Sequence, residues 1–162
     1  MIIEVATDAD WPAIFPIFSQ IVEAGDTYAY PSGLTSEQAR SLWIEPSPGQ
    51  TVVIRDDDQT ILGSAKMGPN RPGRGAHVAT ASFMVDPAQQ GHGIGRTLGA
   101  YVIEWARAAG FHGMQFNAVV ETNVGAVKLW QDLGFAIIGT VPDAFDHRTE
   151  GLVGLHVMYR RL

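Results

Sequence analysis

No cysteine occurs among the 162 residues, which removes a disulfide framework, a thiolate nucleophile and a thiolate metal site from consideration. Positive charge is scarce as well. Eleven Lys and Arg stand against 17 Asp and Glu, for a formal net charge of −6 and a pI near 5.2. The few basic residues form no long run, so nucleic acid and anionic membrane surfaces are not expected as partners. No apolar stretch has membrane-spanning length and no N-terminal signal pattern is present, so a cytoplasmic location is expected. The absence of Gly-Lys-Ser and Gly-Lys-Thr excludes a Walker phosphate loop. His77, His92 and His112 lack the spacing and carboxylate partners of a metal site, and no metal is expected.

What is present is enough for one core. A hydrophobic content of 46% over this length reads as a single domain covering residues 1–162. Ile2-Ile3-Glu4-Val5 reads as a first strand, and Thr7 to Asp10 before Trp11-Pro12 as a helix start followed by an apolar stripe at Ile14, Ile17, Phe18, Ile21 and Val22. Thr35 and Gln38 stand at capping-box spacing for a helix to Trp43. Strands at Thr51–Arg55 and Ile61–Met67 flank the turn Asp56 to Gln59. His77–Val85 is a longer strand whose two faces differ: Val78, Thr80, Ser82 and Met84 on one, Ala79, Ala81, Phe83 and Val85 on the other.

A helix from Ile94 to Ala109 carries Ile94, Leu98, Tyr101, Val102, Trp105 and Ala106 on its core stripe and stops at Gly110. Met114–Val120 is a further strand, leading through Asn123 into a helix that ends at Leu133-Gly134-Phe135. Ala136–Val141 and Leu152–Tyr159 supply the last two strands, separated by Pro142 to Gly151.

Between the long strand and the long helix runs Asp86-Pro87-Ala88-Gln89-Gln90-Gly91-His92-Gly93-Ile94-Gly95-Arg96. Pro87 ends strand pairing, the glycines allow close main-chain approach, and the helix start offers unpaired N–H groups with a partial positive charge. On these residues alone, an anion cradle and an ordinary strand-to-helix turn both fit. A dinucleotide-binding fold would carry G-x-G-x-x-G after its first strand, whereas this loop lies mid-chain and its glycines do not match that spacing.

Gln90-x-x-Gly93-x-Gly95 after Val85-Asp86-Pro87, followed by Asn123-x-x-Ala126-x-x-Leu129-Trp130-x-x-x-Gly134-Phe135, resembles the GNAT superfamily of acyl-CoA-dependent N-acyltransferases over nearly the whole chain. The resemblance implies an α/β fold: a mixed, mostly antiparallel sheet of six or seven strands with helices on both faces. It implies acetyl-CoA as co-substrate, entering between the strands that end at Val85 and begin near Met114. Main-chain groups of Gln90, Gly91, His92, Gly93, Ile94, Gly95 and Arg96 would cradle the pyrophosphate. The backbone of Met84 and Val85 would pair with the pantetheine arm, and Asn123 would contact it or serve as a helix N-cap. Segments such as Gly25-Asp26-Thr27-Tyr28 look closest to the phosphinothricin and azetidine-carboxylate branches. The resemblance also leaves a homodimer open, with the apolar last strand as a candidate interface.

The implied reaction is direct attack of an amine on the thioester, favouring a small-molecule acceptor such as an amino acid; a protein or peptide acceptor, or a non-catalytic acyl-CoA-binding module, are the alternatives. An alkyl amine is only about one part in a thousand neutral at pH 7, a handicap of about 4 kcal/mol. The resemblance places the donor for charge on the acyl oxygen at the backbone amide near Val85. Trp130 stands where many members carry a tyrosine, and an indole N–H releases no proton near neutral pH, so Trp130 packs against the thioester or fills core. Tyr28, Tyr30 or Tyr159 are hydroxyls that would compensate. No glutamate stands on the central strand; Thr80 and Ser82 would order a water relayed to Glu4, Glu121, Asp26 or His77, and Asn117 is a further polar candidate. Asp26, Thr27, Tyr28 and Tyr30 form one expected acceptor wall, and a loop from Phe145 to Arg148 the other.

Overall fold

The computed structural model describes residues 1–162. Its strands are β1 (Ile2–Val5), β2 (Gln50–Arg55), β3 (Ile61–Pro69), β4 (Val78–Val85), β5 (Gly113–Val120), β6 (Ala136–His147) and β7 (Gly151–Arg161). They form one sheet in the order β1-β2-β3-β4-β5-β7-β6. Every neighbouring pair is antiparallel except β4 with β5. The helices are α1 (Trp11–Ala24), α2 (Ser36–Trp43), α3 (Ile94–Ala108) and α4 (Val124–Asp132).

Strand alternation divides the core in two. Ala79 with Ala81, Phe83 and Val85 packs among side chains of α3 and α4, whereas Met84 lies among those of α1 and α2. Helices therefore cover both faces, as the fold class implied. On α3 the buried stripe is Ile94, Leu98, Gly99, Val102, Ile103 and Ala106, with Tyr101 and Trp105 half-buried at its border. Gly99 sits on that stripe because α4 comes close: a Cβ there would lie 2.7 Å from Leu133 Cδ1 and 3.0 Å from the Trp130 ring.

The parallel junction is short. β4 and β5 pair only at Val78↔Gly113 and Ala79↔Met114, and a register shift between Phe116 and Val119 bends β5 where it pairs with β7. From Thr80 onward, β4 has no strand partner on its β5 side.

The last hairpin is longer than expected. Pro142 reads as the end of a strand, yet β6 runs on to His147, with a register shift between Val141 and Phe145 and Asp143 at φ +53°. A proline is tolerated there because β6 is the sheet edge and has no outer neighbour to receive an N–H. The expected Pro142–Gly151 loop is thereby reduced to residues 148–150, and Phe145 stands on a strand.

Buried polar groups under α2 are closed by one chain: Trp43 Nε1 donates to Ser64 Oγ at 2.9 Å, and Ser64 Oγ donates to the Val52 carbonyl at 2.8 Å. Ser64→Ala would leave the indole N–H without a partner in the core, and urea unfolding is expected to show a loss of about 1–3 kcal/mol. A loss below the error of the measurement would contradict this account.

Candidate active site

The gap between β4 and β5 opens into two joined cavities. The inner one, about 320 Å³, lies between β4 and β5 and is walled by Tyr28 and Tyr30 on one side and Phe145 and Leu155 on the other. The outer one, about 840 Å³, spreads over the β4–α3 loop. Thr27, Tyr28, Phe83, Asn123, Ala126 and Trp130 border both and mark their junction.

The outer cavity collects most of the expected donor site. Asp86 Oδ1 accepts from Ala88 N–H at 2.9 Å and turns the chain through Pro87–Gln89. Gly91 and Gly93 then take φ +81° and +79°, conformations that favour glycine, with open space where a side chain would stand. Gly95 also lines this cavity, and a Cβ there would meet Leu129 Cδ2 at 3.3 Å, so its small size fits α3 against α4 as well. No side chain caps the start of α3, which leaves its first-turn N–H groups free beside this cavity. Arg96 lines it too, with its guanidinium 2.8 Å from Asp132, whose carboxyl Lys128 and Arg96 hold below the usual range. His92 lies outside the wall; its ring is exposed and rests near the Gln89 carbonyl.

Asn123 is the helix N-cap and also stands at the cavities. Its Oδ1 caps α4 by accepting from Ala126 N–H at 3.2 Å, and the residue borders both cavities. The two buried side-chain oxygens without any partner, Thr27 Oγ1 and Thr122 Oγ1, both belong to residues of the outer cavity wall. Buried hydroxyls are seldom left unmatched, and both of these stand in residues of one wall.

The free edge of β4 corrects the sequence reading. Tyr28 Oη donates to the Phe83 carbonyl at 2.6 Å and accepts from Phe83 N–H at 2.9 Å. Phe83 thus directs both main-chain groups into the gap, and by alternation so does Val85, whereas Asp86 N–H reaches back to Leu62 on β3. Met84 shares the parity of Asp86 and pairs with Ser64, so its backbone is committed to β3 and is not available to a pantetheine arm. The main-chain pair facing the gap is Phe83 and Val85. Only register, which a single strand does not reveal, could have identified Phe83.

Thr80 and Ser82 line the inner cavity as expected. Asn117 does too, but it is exposed rather than covered: its Nδ2 donates to Asn70 Oδ1 at 2.6 Å and its Oδ1 accepts from Gln115 at 2.9 Å. Tyr28 is stacked on Tyr30 at 5.5 Å, and burial pushes its phenol above the ordinary value. Trp130 is 7% exposed and packs on Phe83 at 4.6 Å and Phe116 at 4.9 Å, so it fills core at the junction. Phe145 walls the inner cavity from β6.

Several distant groups do not reach the site. Glu4 pairs with Arg55, the Glu121 carboxylate accepts from Gly154 N–H, the His77 ring lies tilted beside His112, and the Tyr159 ring lies against Gly113. Of the carboxylates considered, Asp26 alone lines a cavity, the outer one, together with His147. Arg148 does not reach inward: its N–H donates to the Gly25 carbonyl at 3.0 Å and its side chain packs over Gly25.

Known proteins resemble this chain in sequence and fold. The structure of a GCN5-related N-acetyltransferase from Kribbella flavida superposes with a TM-score of 0.96 at 62% identity, covering 99% of this chain and 97% of that one. L-amino acid N-acyltransferase MnaT of Escherichia coli is 29% identical over 150 residues, 88% of this chain and 83% of that protein. N-acetyltransferase aca1 of Schizosaccharomyces pombe is 29% identical over 137 residues, which is 76% of this chain but only 66% of that protein's length. The Acetyltransferase (GNAT) family model matches residues 11–135, from the start of α1 to the end of the Asn123–Phe135 motif, and the chain belongs to that family.

Proposed function

We propose that the protein transfers the acetyl group of acetyl-CoA to the primary or secondary amine of a small molecule. The observation that carries this reading is the unpaired edge of β4 running from the uncapped start of α3 to the inner cavity. An extended acyl-pantetheine arm fits such an edge as an added strand, with its phosphates at the helix start. Acetyl-CoA supplies a thioester electrophile; the residues named here bind, orient and polarise.

The main-chain amides of Gln90 to Arg96 hold the pyrophosphate, and Val85 pairs with the arm. Phe83 N–H, at the junction of the two cavities, donates to the acyl oxygen as negative charge develops there. In the inner cavity Thr80, Ser82 and Asn117 orient the amine and a water that takes its proton. Trp130 and Phe116 keep bulk water from the thioester by packing, and the thiolate leaves without help from the indole. Thr27, Tyr28, Tyr30 and Phe145 set the acceptor's shape, with Asp26 at the outer approach. An amino-acid acceptor is favoured by the similarity to MnaT and by the small inner cavity, about 320 Å³, which suits a compact amine. A second copy of the chain is the proposed partner along β6, whose outer edge is unpaired and whose Ile138 and Val141 are 60% and 52% exposed.

Acceptor-dependent release of free CoA thiol from acetyl-CoA, followed across matched free amines, amino acids and peptides, tests the assignment. Turnover on free amino acids or small amines is expected; activity confined to peptides, or tight acetyl-CoA binding with no acceptor, would overturn it. Gly93→Val forces a β-branched residue into φ +79° at the phosphate loop, and calorimetry is expected to show at least a tenfold loss of acetyl-CoA affinity. Unchanged affinity would place the phosphate elsewhere.

A further inference from the structure

The contact between Tyr28 and Phe83 has a use in the reaction. One phenol oxygen meets both main-chain groups of a residue on a free strand edge, 55 positions further along the chain. It lies at the junction of the cavities, where an acyl group held by the outer cavity would meet an amine held by the inner one. Tyr28 Oη now fills the acceptor position on Phe83 N–H, which is where an acyl oxygen accepting from that N–H would sit.

We propose that Tyr28 is a catalytic residue: its O–H, together with Phe83 N–H, forms a two-donor site for the acyl oxygen. When that oxygen takes the place of the phenol oxygen on Phe83 N–H, the Tyr28 hydroxyl moves aside and turns its O–H from the Phe83 carbonyl to the acyl oxygen. The electron pair of the carbonyl moves onto oxygen as the amine nitrogen bonds to carbon, and returns as the carbon–sulfur bond breaks. Tyr28 keeps its proton throughout. The ammonium proton passes to water.

The surroundings suit a donor that stays neutral. The ring is held by Tyr30 at 5.5 Å and Trp43 at 6.2 Å, and burial keeps the phenol protonated, so it gives a hydrogen bond without becoming an anion. Among the six junction residues it alone is bonded to the β4 edge by its side chain. Trp130 approaches the same residue through the Phe83 ring, so core packing and polar contact come to Phe83 by separate routes.

This inference rests on the acetyl-CoA reading, and the test separates the two. S-acetonyl-CoA, a ketone analogue lacking the thioester, is bound to the wild type and to Tyr28→Phe, and its carbonyl stretch is read by infrared difference spectroscopy. The wild type is expected to lower the stretch, and Tyr28→Phe to return it toward the free value, while kcat falls by about 10²–10³-fold with acetyl-CoA affinity kept or tightened. Replacing Tyr28 by 3,5-difluorotyrosine, which preserves the ring and makes the phenol a stronger donor, should lower the stretch further and serves if the Phe variant does not fold. An identical stretch in wild type and Tyr28→Phe overturns the two-donor site whatever the rate does. Failure of the wild type to bind either acetyl-CoA or the analogue overturns the acetyl-CoA reading, and this inference with it.

Discussion

The separation of β4 from β5 after Ala79 is the constraint on which the rest depends. Two residue pairs hold the strands together, and then a row of backbone donors and acceptors is left facing a gap. Leaving such groups unpaired inside a protein is costly, about 1–3 kcal/mol each, so a gap of this kind needs occupants. Tyr28 supplies one to Phe83. Elsewhere the gap is kept open by what flanks it: the bent β5 on one side, and on the other the fold of α3 and α4 around Gly99 and Trp130.

The charge distribution follows the same division. The inner cavity is walled by hydroxyls, amides, aromatic rings and aliphatic groups, while Asp26, Arg96 and His147 stand on the outer one. A polar donor with phosphates suits the outer space. The inner space carries no charged side chain on its wall, so in the proposed reaction nothing there stabilises an ammonium over the neutral amine.

The order of the elements was legible because periodicity and capping agree with the fold. Thr35 does cap α2 by accepting from Gln38 N–H, the long strand does alternate between two cores, and the glycine loop does end in a helix that no side chain caps. What was hidden is contact across distance. Met84 and Phe83 differ only in which neighbour their backbone addresses, and strand parity decides that in the folded sheet. Asn117 is visible as a polar residue, but its partner Asn70 comes from two strands away. Pro142 suggested a loop because proline breaks most strands; at a sheet edge its missing N–H is harmless, and β6 continues.

The turn between β6 and β7 is fastened to the end of α1, where the Arg148 N–H meets the Gly25 carbonyl and its side chain covers the left-handed Gly25. Gly25 immediately precedes Asp26, Thr27 and Tyr28. The outermost strand of the sheet and the phenol at its interior are therefore linked by a short mechanical path: hairpin, one main-chain bond, three residues of loop. If a second copy pairs along β6, as proposed, that contact and the residue proposed to meet the acyl oxygen lie at the two ends of one short covalent and hydrogen-bonded path.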